Sequence, residues 1–117
     1  MRDTVDHGAN VLLVQTNNAT FGFTDESVQQ LAISRIRAIE HGRSIVHVST
    51  VGVSAMITPD GTAHQRSTLF TPDVLAADLP LRTSRTIADR VGAWPEYLAS
   101  GGLAMMLVLL GLRRRRR

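Results

Sequence analysis

The chain has 117 residues, enough for one small domain with a modest core. It contains neither cysteine nor lysine, which excludes disulfides, thiolate metal sites, a cysteine nucleophile and Schiff-base chemistry on its own residues. The net charge of +3 depends on five C-terminal arginines; without them eight arginines oppose ten carboxylates, a net charge of −2, so nucleic-acid binding is not expected.

The N-terminal part alternates between helical and strand patterns. Residues 1–10 resemble the end of a helix with Gly8 as its C-cap, so we expect the natural domain to begin upstream. Residues 11–15 are a short apolar run typical of a buried strand, and residues 24–42 have the period of an amphipathic helix that stops at Gly42. The apolar face of this helix is predicted to contain Val28, Leu31, Ala32, Ile36 and Ile39. Its solvated face or end is predicted to contain Arg35, Arg37, Glu40 and Arg43.

The next segment is predicted to form further strands. Strands are expected at residues 44–50 and 53–58, followed by a hairpin turn at Pro59-Asp60-Gly61, because proline fixes φ and Asp-Gly tolerates positive φ. Residues 62–68 alternate weakly, which favours an edge strand. Residues 69–81 are predicted to be extended. Residues 82–90 have modest helical character, with Thr83, Ile87 and Val91 spaced by four.

The C-terminal segment has the composition of a membrane helix. Residues 98–112 carry no charge, and Trp94 and Tyr97 lie at one end as interfacial anchors. The arginine tail at the other end predicts a cytoplasmic C-terminus, with the preceding domain on the outer side of the membrane. The anchoring arginines are Arg113, Arg114 and Arg115, followed by two more. A buried or merely adhesive C-terminal helix is the alternative.

A polar turn that follows the first apolar strand is a candidate for a site. It is Asn17-Asn18-Ala19-Thr20-Phe21-Gly22. Irregular backbone after a buried strand often exposes functional groups, although ordinary turn chemistry explains the same residue types. The four histidines have no metal-ligand spacing, so neither a metal nor a cofactor is predicted.

Four blocks, in this order and spacing, resemble the apolipoprotein N-acyltransferase family. They are Gln15-Thr16-Asn17-Asn18-Ala19-Thr20-Phe21-Gly22, Arg35-Ile36-Arg37-Ala38-Ile39-Glu40-His41-Gly42-Arg43, Ser49-Thr50-Val51-Gly52-Val53-Ser54-Ala55 and Pro59-Asp60-Gly61. The resemblance implies an α/β fold, with residues 1–93 as the C-terminal part of a nitrilase-like (carbon–nitrogen hydrolase) αββα sandwich. Residues 94–112 would be a transmembrane helix and residues 113–117 a cytoplasmic tail. It also implies a bacterial inner membrane, with the domain on the periplasmic side.

The same resemblance implies a chemistry. The family transfers an acyl chain from a phospholipid donor to the N-terminal S-diacylglyceryl cysteine of a lipoprotein acceptor, through a thioester on a cysteine, with a glutamate base and a lysine at the oxyanion. This chain has no cysteine or lysine, so the triad is expected in a missing N-terminal part, and the chain alone is expected to be inactive. The resemblance implies substrate-pocket positions in two polar turns. They are Asn17, Asn18, Thr20, Phe21 and Gly22 in the first turn, and Thr50, Gly52 and Ser54 in a second turn after the next strand. Thr20 stands where relatives often have tryptophan. Two alternatives are one half of a split enzyme and a membrane-anchored, non-catalytic nitrilase-like binding or structural module.

Overall fold

The computed structural model describes residues 1–115 and contains one four-stranded mixed sheet. Strand β1 (Val11–Thr16) is parallel to β2 (Ser44–Ser49), and β3 (Ala55–Ile57) and β4 (Ala63–His64) continue the sheet in antiparallel fashion. The helices are α1 (Arg2–Asp6), α2 (Glu26–His41), α3 (Ile87–Val91) and α4 (Trp94–Arg115), and Ala19–Phe21 form a 3₁₀ turn. The predicted α/β class is confirmed, with one long apolar helix at the C-terminal end.

Helix α2 connects the two parallel strands, which cannot be joined by a tight turn. It ends where the sequence predicts, because Gly42 adopts the left-handed conformation at φ +58° and satisfies the last turn through its N–H. A Cβ at residue 42 would also lie 2.9 Å from Thr86 Cγ2, so a glycine suits this position on two grounds. The helix begins at Glu26 rather than at residue 24, with Asp25 at the N-cap position but without a capping hydrogen bond from its side chain.

The predicted inward face of α2 is wrong. Of the five apolar residues assigned to that face, only Leu31 is buried, whereas Ile36 and Ile39 are 63% and 56% exposed. The buried side of α2 instead consists of Ser27, Leu31, Ser34, Ala38 and His41. Small side chains let the helix approach the sheet closely, and the larger apolar side chains then lie on the far side.

Arg43 is a second correction, because it is buried rather than solvated. Its Nε donates to the carbonyl oxygen of Ala9 at 2.8 Å, and its Nη1 donates to the carbonyl oxygen of Ser84 at 2.7 Å. A buried guanidinium needs such partners for its five donors. The side chain therefore connects the start of β2 to two distant segments of the chain.

The core lies between α2 and one face of the sheet. Its buried apolar residues are Val5, Leu12, Leu31, Ala38, Ile45, Val53, Ala55 and Ile57. On the other face of the sheet Pro80 covers Ser44, but Leu13 is 70% exposed, beside the half-exposed Val11 and Val48. The sheet thus has one packed face and one open apolar face.

The hairpin turn at residues 59–61 is confirmed. Gly61 has φ +81°, and Asp60 accepts hydrogen bonds from Thr58 Oγ1 at 2.6 Å and from the N–H of Thr62 at 3.0 Å. These bonds lower the pKa of the Asp60 carboxyl to about 2. The returning strand is shorter than predicted, at two residues, because the chain leaves the sheet at Gln65 with φ +47°.

From Gln65 to Thr86 the chain has no regular secondary structure, and the stretch predicted to be extended at 69–81 begins in a turn at Leu69 and Phe70. The helix predicted for 82–90 is wrong at its start. Helix α3 is only five residues long and excludes Thr83. Thr86 provides the N-cap, accepting a hydrogen bond from the N–H of Asp89 at 3.1 Å, which sets where the helix begins.

Candidate functional site

The two predicted polar turns meet at the carboxyl ends of β1 and β2. Thr16 and Ser49 are paired at the last positions of the parallel ladder, so the residues after them are neighbours. Asn17 Oδ1 accepts a hydrogen bond from Thr50 Oγ1 at 3.0 Å and another from the N–H of Ala19 at 3.2 Å. The N–H of Thr50 donates to the carbonyl oxygen of Thr16 at 3.3 Å. Asn17 therefore joins the two turns and fixes their spacing.

Asn18 lies beneath this surface and is only 1% exposed. Neither its Oδ1 nor its Nδ2 has a hydrogen-bond partner within residues 1–115. A buried amide without partners costs about 1–3 kcal/mol, so such a residue is unusual in a packed region. Its main-chain carbonyl oxygen accepts a hydrogen bond from the N–H of Phe21 at 3.1 Å, which holds the backbone of Asn18 in the 3₁₀ turn.

Gly52 makes room for Asn18. A Cβ at residue 52 would lie 2.8 Å from Asn18 Nδ2, 2.4 Å from Ser27 Oγ and 2.5 Å from Ser49 Oγ. All three distances are shorter than real Cβ contacts, so no side chain fits here without displacing its neighbours. Gly52 does not have a positive φ, so glycine is needed here for space and not for backbone conformation.

The second turn is held by hydroxyl groups. The Oγ of Ser54 accepts from the N–H of Ser49 at 3.0 Å, and Ser49 Oγ accepts from the N–H of Gly52 at 3.0 Å. Ser27 on α2 and Ser67 on the segment after β4 accept from the N–H groups of Val53 and Ser54, both at 2.8 Å. Ser54 is thus a structural hydroxyl of the turn.

Sequence reasoning missed Ser27 and Ser67 as supports of the site. Ser27 could have been recognised, because it falls on the same helical face as Leu31, Ser34 and Ala38 once small residues are counted as inward. Ser67 carries no such signal, since it lies in an irregular segment whose path depends on tertiary contacts.

The remaining predicted pocket residues lie at the edge of this cluster. Thr20 is exposed, Phe21 and Gly22 are half-buried, and a Cβ on Gly22 would meet nothing within 4 Å. The positive φ of Gly22, +56°, explains glycine there by backbone conformation alone. The structure therefore brings Asn17, Asn18, Thr50, Gly52 and Ser54 together and leaves the other three beside them.

An aromatic pair not predicted from the sequence flanks the turns. The rings of Phe23 and Phe70 lie 4.5 Å apart between centroids, although Phe23 is 81% exposed. The N–H of Phe70 donates to the carbonyl oxygen of Val51 at 2.9 Å, and Phe70 has φ +54°, a conformation that a side chain this large rarely adopts. This contact attaches the segment after β4 to the second polar turn.

A cleft of about 390 Å³ opens between β1 and α2, next to Asn17. His47 is buried at its floor, with Nδ1 at 2.9 Å from Ser34 Oγ, and burial lowers the pKa of its imidazole below the ordinary value of 6.5. Its Nε2 and the Oε1 of Gln30 have no hydrogen-bond partner among the described residues. The cleft lies along β1, an edge strand in this sheet.

The arrangement can position and orient groups but supplies little reactivity. Its functional groups are amides, hydroxyls, one buried imidazole and backbone N–H groups, and the chain has no thiol or amine side chain. Within residues 1–115 no three histidine, aspartate or glutamate side chains are placed to hold a metal ion. Of the three glutamates, Glu40 is paired with Arg37, and none is a member of this cluster.

Helix α4 is long and apolar enough over residues 94–112 to cross a membrane, and none of that span is buried by the rest of the chain. Its 19 residues measure about 29 Å at a rise of 1.5 Å each, which is close to the hydrocarbon thickness of a bilayer. Trp94 and Tyr97 are both exposed at its start. The side chains of Arg113, Arg114 and Arg115 and the last two residues lie outside the structural description.

Fold and site together define a class: an α/β unit with polar loops at the ends of parallel strands, followed by one membrane-type helix. No family model matches the chain. The chain is 41% identical over 112 residues to the apolipoprotein N-acyltransferase of Mycolicibacterium smegmatis, covering 93% of this chain and 18% of that protein. It is 33% identical over 117 residues to the Shewanella oneidensis protein of that name, covering 100% and 22%. The Ralstonia nicotianae protein is 37% identical over 109 residues, covering 93% and 20%.

The chain is therefore homologous to apolipoprotein N-acyltransferases over nearly its whole length, which confirms the resemblance predicted from the four blocks. It spans about a fifth of the length of these curated relatives.

Proposed function

We propose that this chain is the C-terminal part of an apolipoprotein N-acyltransferase. In this proposal residues 1–93 belong to a nitrilase-like αββα sandwich, residues 94–112 cross the bacterial inner membrane and residues 113–117 are cytoplasmic. The assembled enzyme would transfer an acyl chain from a phospholipid to the N-terminal S-diacylglyceryl cysteine of a lipoprotein. The observation that carries the proposal is the homology over nearly the whole chain, which includes both polar turns.

Contacts in the structure favour a role for this chain in shaping the substrate site. The hydrogen bond from Thr50 to Asn17 holds two turns side by side at the strand ends, where substrates bind in open α/β sheets. The buried carboxamide of Asn18 offers both a donor and an acceptor that residues 1–115 leave unused. The catalytic glutamate, lysine and cysteine would come from the upstream part, which would bind beside β1.

The open face of the sheet also supports an incomplete domain. Leu13 is 70% exposed on that face, and a second sheet packed there would remove this apolar surface from water. The same observation distinguishes the proposal from a self-sufficient binding or structural module, which would not be expected to leave one face of its sheet open.

A split complementation experiment tests the proposal. The part of the M. smegmatis relative that precedes the region matching this chain is co-expressed with this chain in cells depleted of their own N-acyltransferase. The mass of a lipoprotein's N-terminal peptide is then measured by mass spectrometry. We expect triacylated peptide only when both parts are present. The remainder paired with its own C-terminal segment is the positive control.

Two outcomes would contradict the proposal. One is N-acylation restored by this chain alone, since it has no thiol to carry an acyl group. The other is a positive control that works while this chain fails in its place. Hydroxylamine-sensitive label transferred from phospholipid to the isolated chain would equally overturn the expected inactivity.

A further inference from the structure

The segment that leads to the membrane helix is fastened to one corner of the domain. We call residues 80–89 the strap and residues 40–44 the corner. Four polar contacts join them, each from a different corner residue. Two corner side chains donate to strap carbonyl oxygens: Ser44 Oγ to that of Pro80 and Arg43 Nη1 to that of Ser84, both at 2.7 Å. In the other direction, Thr86 Oγ1 of the strap donates to the carbonyl oxygen of Glu40 at 2.5 Å. The fourth contact joins His41 Nδ1 and Asp89 Oδ1 at 2.6 Å.

Apolar burial contributes little to this attachment. Leu81 is 63% exposed and Ile87 is 79% exposed, and neither belongs to the hydrophobic core. The strap residues before α3 form no helix or strand. Polar contacts are therefore what holds the strap, and these depend on geometry rather than on area.

The contact between His41 and Asp89 is the most enclosed of the four. The two side chains are 3% and 0% exposed, and Asp89 Oδ2 lies 3.1 Å from Thr86 Oγ1, whose single hydroxyl proton it shares with the carbonyl oxygen of Glu40. Burial raises the pKa of the Asp89 carboxyl, but the hydrogen bond and charge of His41 and the bonds from Thr86 outweigh it, so the net pKa is lowered. His41 Nε2 lies 4.0 Å from Glu40 Oε2, so the ring has a carboxylate on both sides.

A buried pair of this kind has few acceptable alternatives. If one partner is removed, the other is left without compensation in a place that water reaches poorly. The strap then gains free energy by leaving the corner, where Asp89 can be hydrated. The remaining three contacts are bonds to backbone carbonyl oxygens, which carry no full charge, although the Arg43 donor is itself charged.

We propose that the His41–Asp89 pair is a latch that fixes the strap on the corner, and thereby fixes where α4 begins relative to the sheet. Helix α3 ends at Val91 and α4 begins at Trp94, so only two residues separate the latched segment from the membrane helix. With the latch closed, the domain is held at one position on its membrane anchor. With it open, the strap becomes a flexible tether while the sheet and α2 stay folded. This role is independent of any acyl transfer.

Limited trypsin digestion of the full chain in isolated membranes tests the latch. Every basic side chain is arginine, so trypsin cuts only after arginines, and Arg82 and Arg90 are exposed in and beside the strap. Arg35 lies in the middle of α2, where cleavage requires the helix to unfold, and serves as an internal gauge of global unfolding. Cleavage rates at each site are read by mass spectrometry.

We expect Asp89→Asn to speed cleavage after Arg82 and Arg90 by about tenfold or more, with cleavage after Arg35 unchanged. His41→Gln should do the same, and the double variant should be no faster than either single one, because both remove one contact. The matched control is Asp6→Asn, which breaks the exposed Asp6–Arg85 pair at 3.0 Å and should change these rates less than about twofold.

Three results would overturn the latch. The first is strap cleavage in Asp89→Asn that stays within twofold of the parent chain. The second is equal acceleration after Arg35 in α2, which would mean that the pair stabilises the whole domain. The third is effects of Asp89→Asn and His41→Gln that multiply in the double variant, which would mean that the two residues act separately.

Discussion

Gly52 and Asn18 are in such close contact that a methyl group on residue 52 would lie 2.8 Å from Asn18 Nδ2. The backbone of the second turn therefore packs against the side chain of Asn18 in the first turn, 34 positions earlier in the sequence. The same missing side chain admits Ser27 Oγ and Ser49 Oγ, so helix, first turn and second turn all converge on one glycine. Hydroxyl groups that accept from backbone N–H groups hold the second turn at this point.

Gly52→Ala should therefore destabilise the domain. The added methyl group must displace three polar neighbours, and overpacking of this kind costs about 1–3 kcal/mol. The measurement is urea unfolding in detergent micelles, followed by circular dichroism. Gly101→Ala is the control, because a Cβ there meets nothing within 4 Å, and it should be neutral or slightly stabilising. Equal stability of Gly52→Ala and the parent chain would contradict the close contact.

Asn18→Leu should separate stability from function. Leucine has nearly the shape of asparagine and needs no hydrogen bonds, so the unfolding free energy should stay within about 1 kcal/mol or rise. If the carboxamide serves substrate or the upstream part, N-acylation in the split complementation should fall by about tenfold or more. Asn10→Leu makes the same change outside the cluster and should retain activity. Full activity of Asn18→Leu would remove Asn18 from the site.

The sequence predicts helices, strands and turns well where residues close in the chain determine them. Gly42 ends α2 because the left-handed cap suits glycine, and the turn at Asp60 follows from turn chemistry. The apolar run at residues 11–15 and the polar turn after it also lie where predicted, because a buried strand must end in groups that water or side chains can satisfy.

What the sequence does not predict is which side of α2 packs. The apolar count favours Ile36 and Ile39, yet the helix buries Ser27, Ser34 and Ala38 because close approach to the sheet needs small side chains. Arg43 and Asp89 are charged residues that a pattern places on the surface, and only tertiary partners far along the chain explain their burial. Contacts between distant residues leave no periodicity to detect.

The same substitution at Leu12 and at Leu13 should have different effects on the free energy of unfolding. Leu12 is in the core, so Leu12→Thr should cost about 2–4 kcal/mol of unfolding free energy. Leu13 lies on the open face at 70% exposure, so Leu13→Thr should leave stability nearly unchanged and reduce aggregation without detergent. Sedimentation after detergent removal measures the second effect.

Leu13→Thr should also weaken the split complementation, because that face is where we place the second sheet. A Leu13→Thr chain that aggregates as much as the parent chain would contradict the open face. A sharp cooperative melt of a monomeric fragment of residues 1–90 without detergent would do so as well, since it would show that the face needs no cover.

Stability should fall as the pH falls below about 6.5, because of His47. Burial lowers the pKa of this imidazole in the folded state, so the unfolded state binds the proton first as the pH falls through the ordinary value of 6.5. One proton gives a slope of at most about 1.4 kcal/mol per pH unit. His47→Gln keeps a partner for Ser34 and should flatten the slope in urea unfolding between pH 7.5 and 5, whereas His64→Gln, at an exposed position, should not. An unchanged slope in His47→Gln would contradict a buried neutral imidazole.

The arginine tail should set the orientation of α4. Holding one arginine at the bilayer centre costs roughly 2.5–3.5 kcal/mol on insertion scales, so five in succession should stay in the cytoplasm and leave the domain outside. The test fuses, after Arg117, a reporter active only outside the cytoplasm or a matched reporter active only inside. We expect signal from the inside reporter alone, and the reverse pattern would overturn the orientation. Replacing residues 113–117 with serine should weaken the bias while leaving the apolar span of 19 residues unchanged. If the orientation does not respond to that replacement, the apolar span or the domain sets it, and the arginines do not.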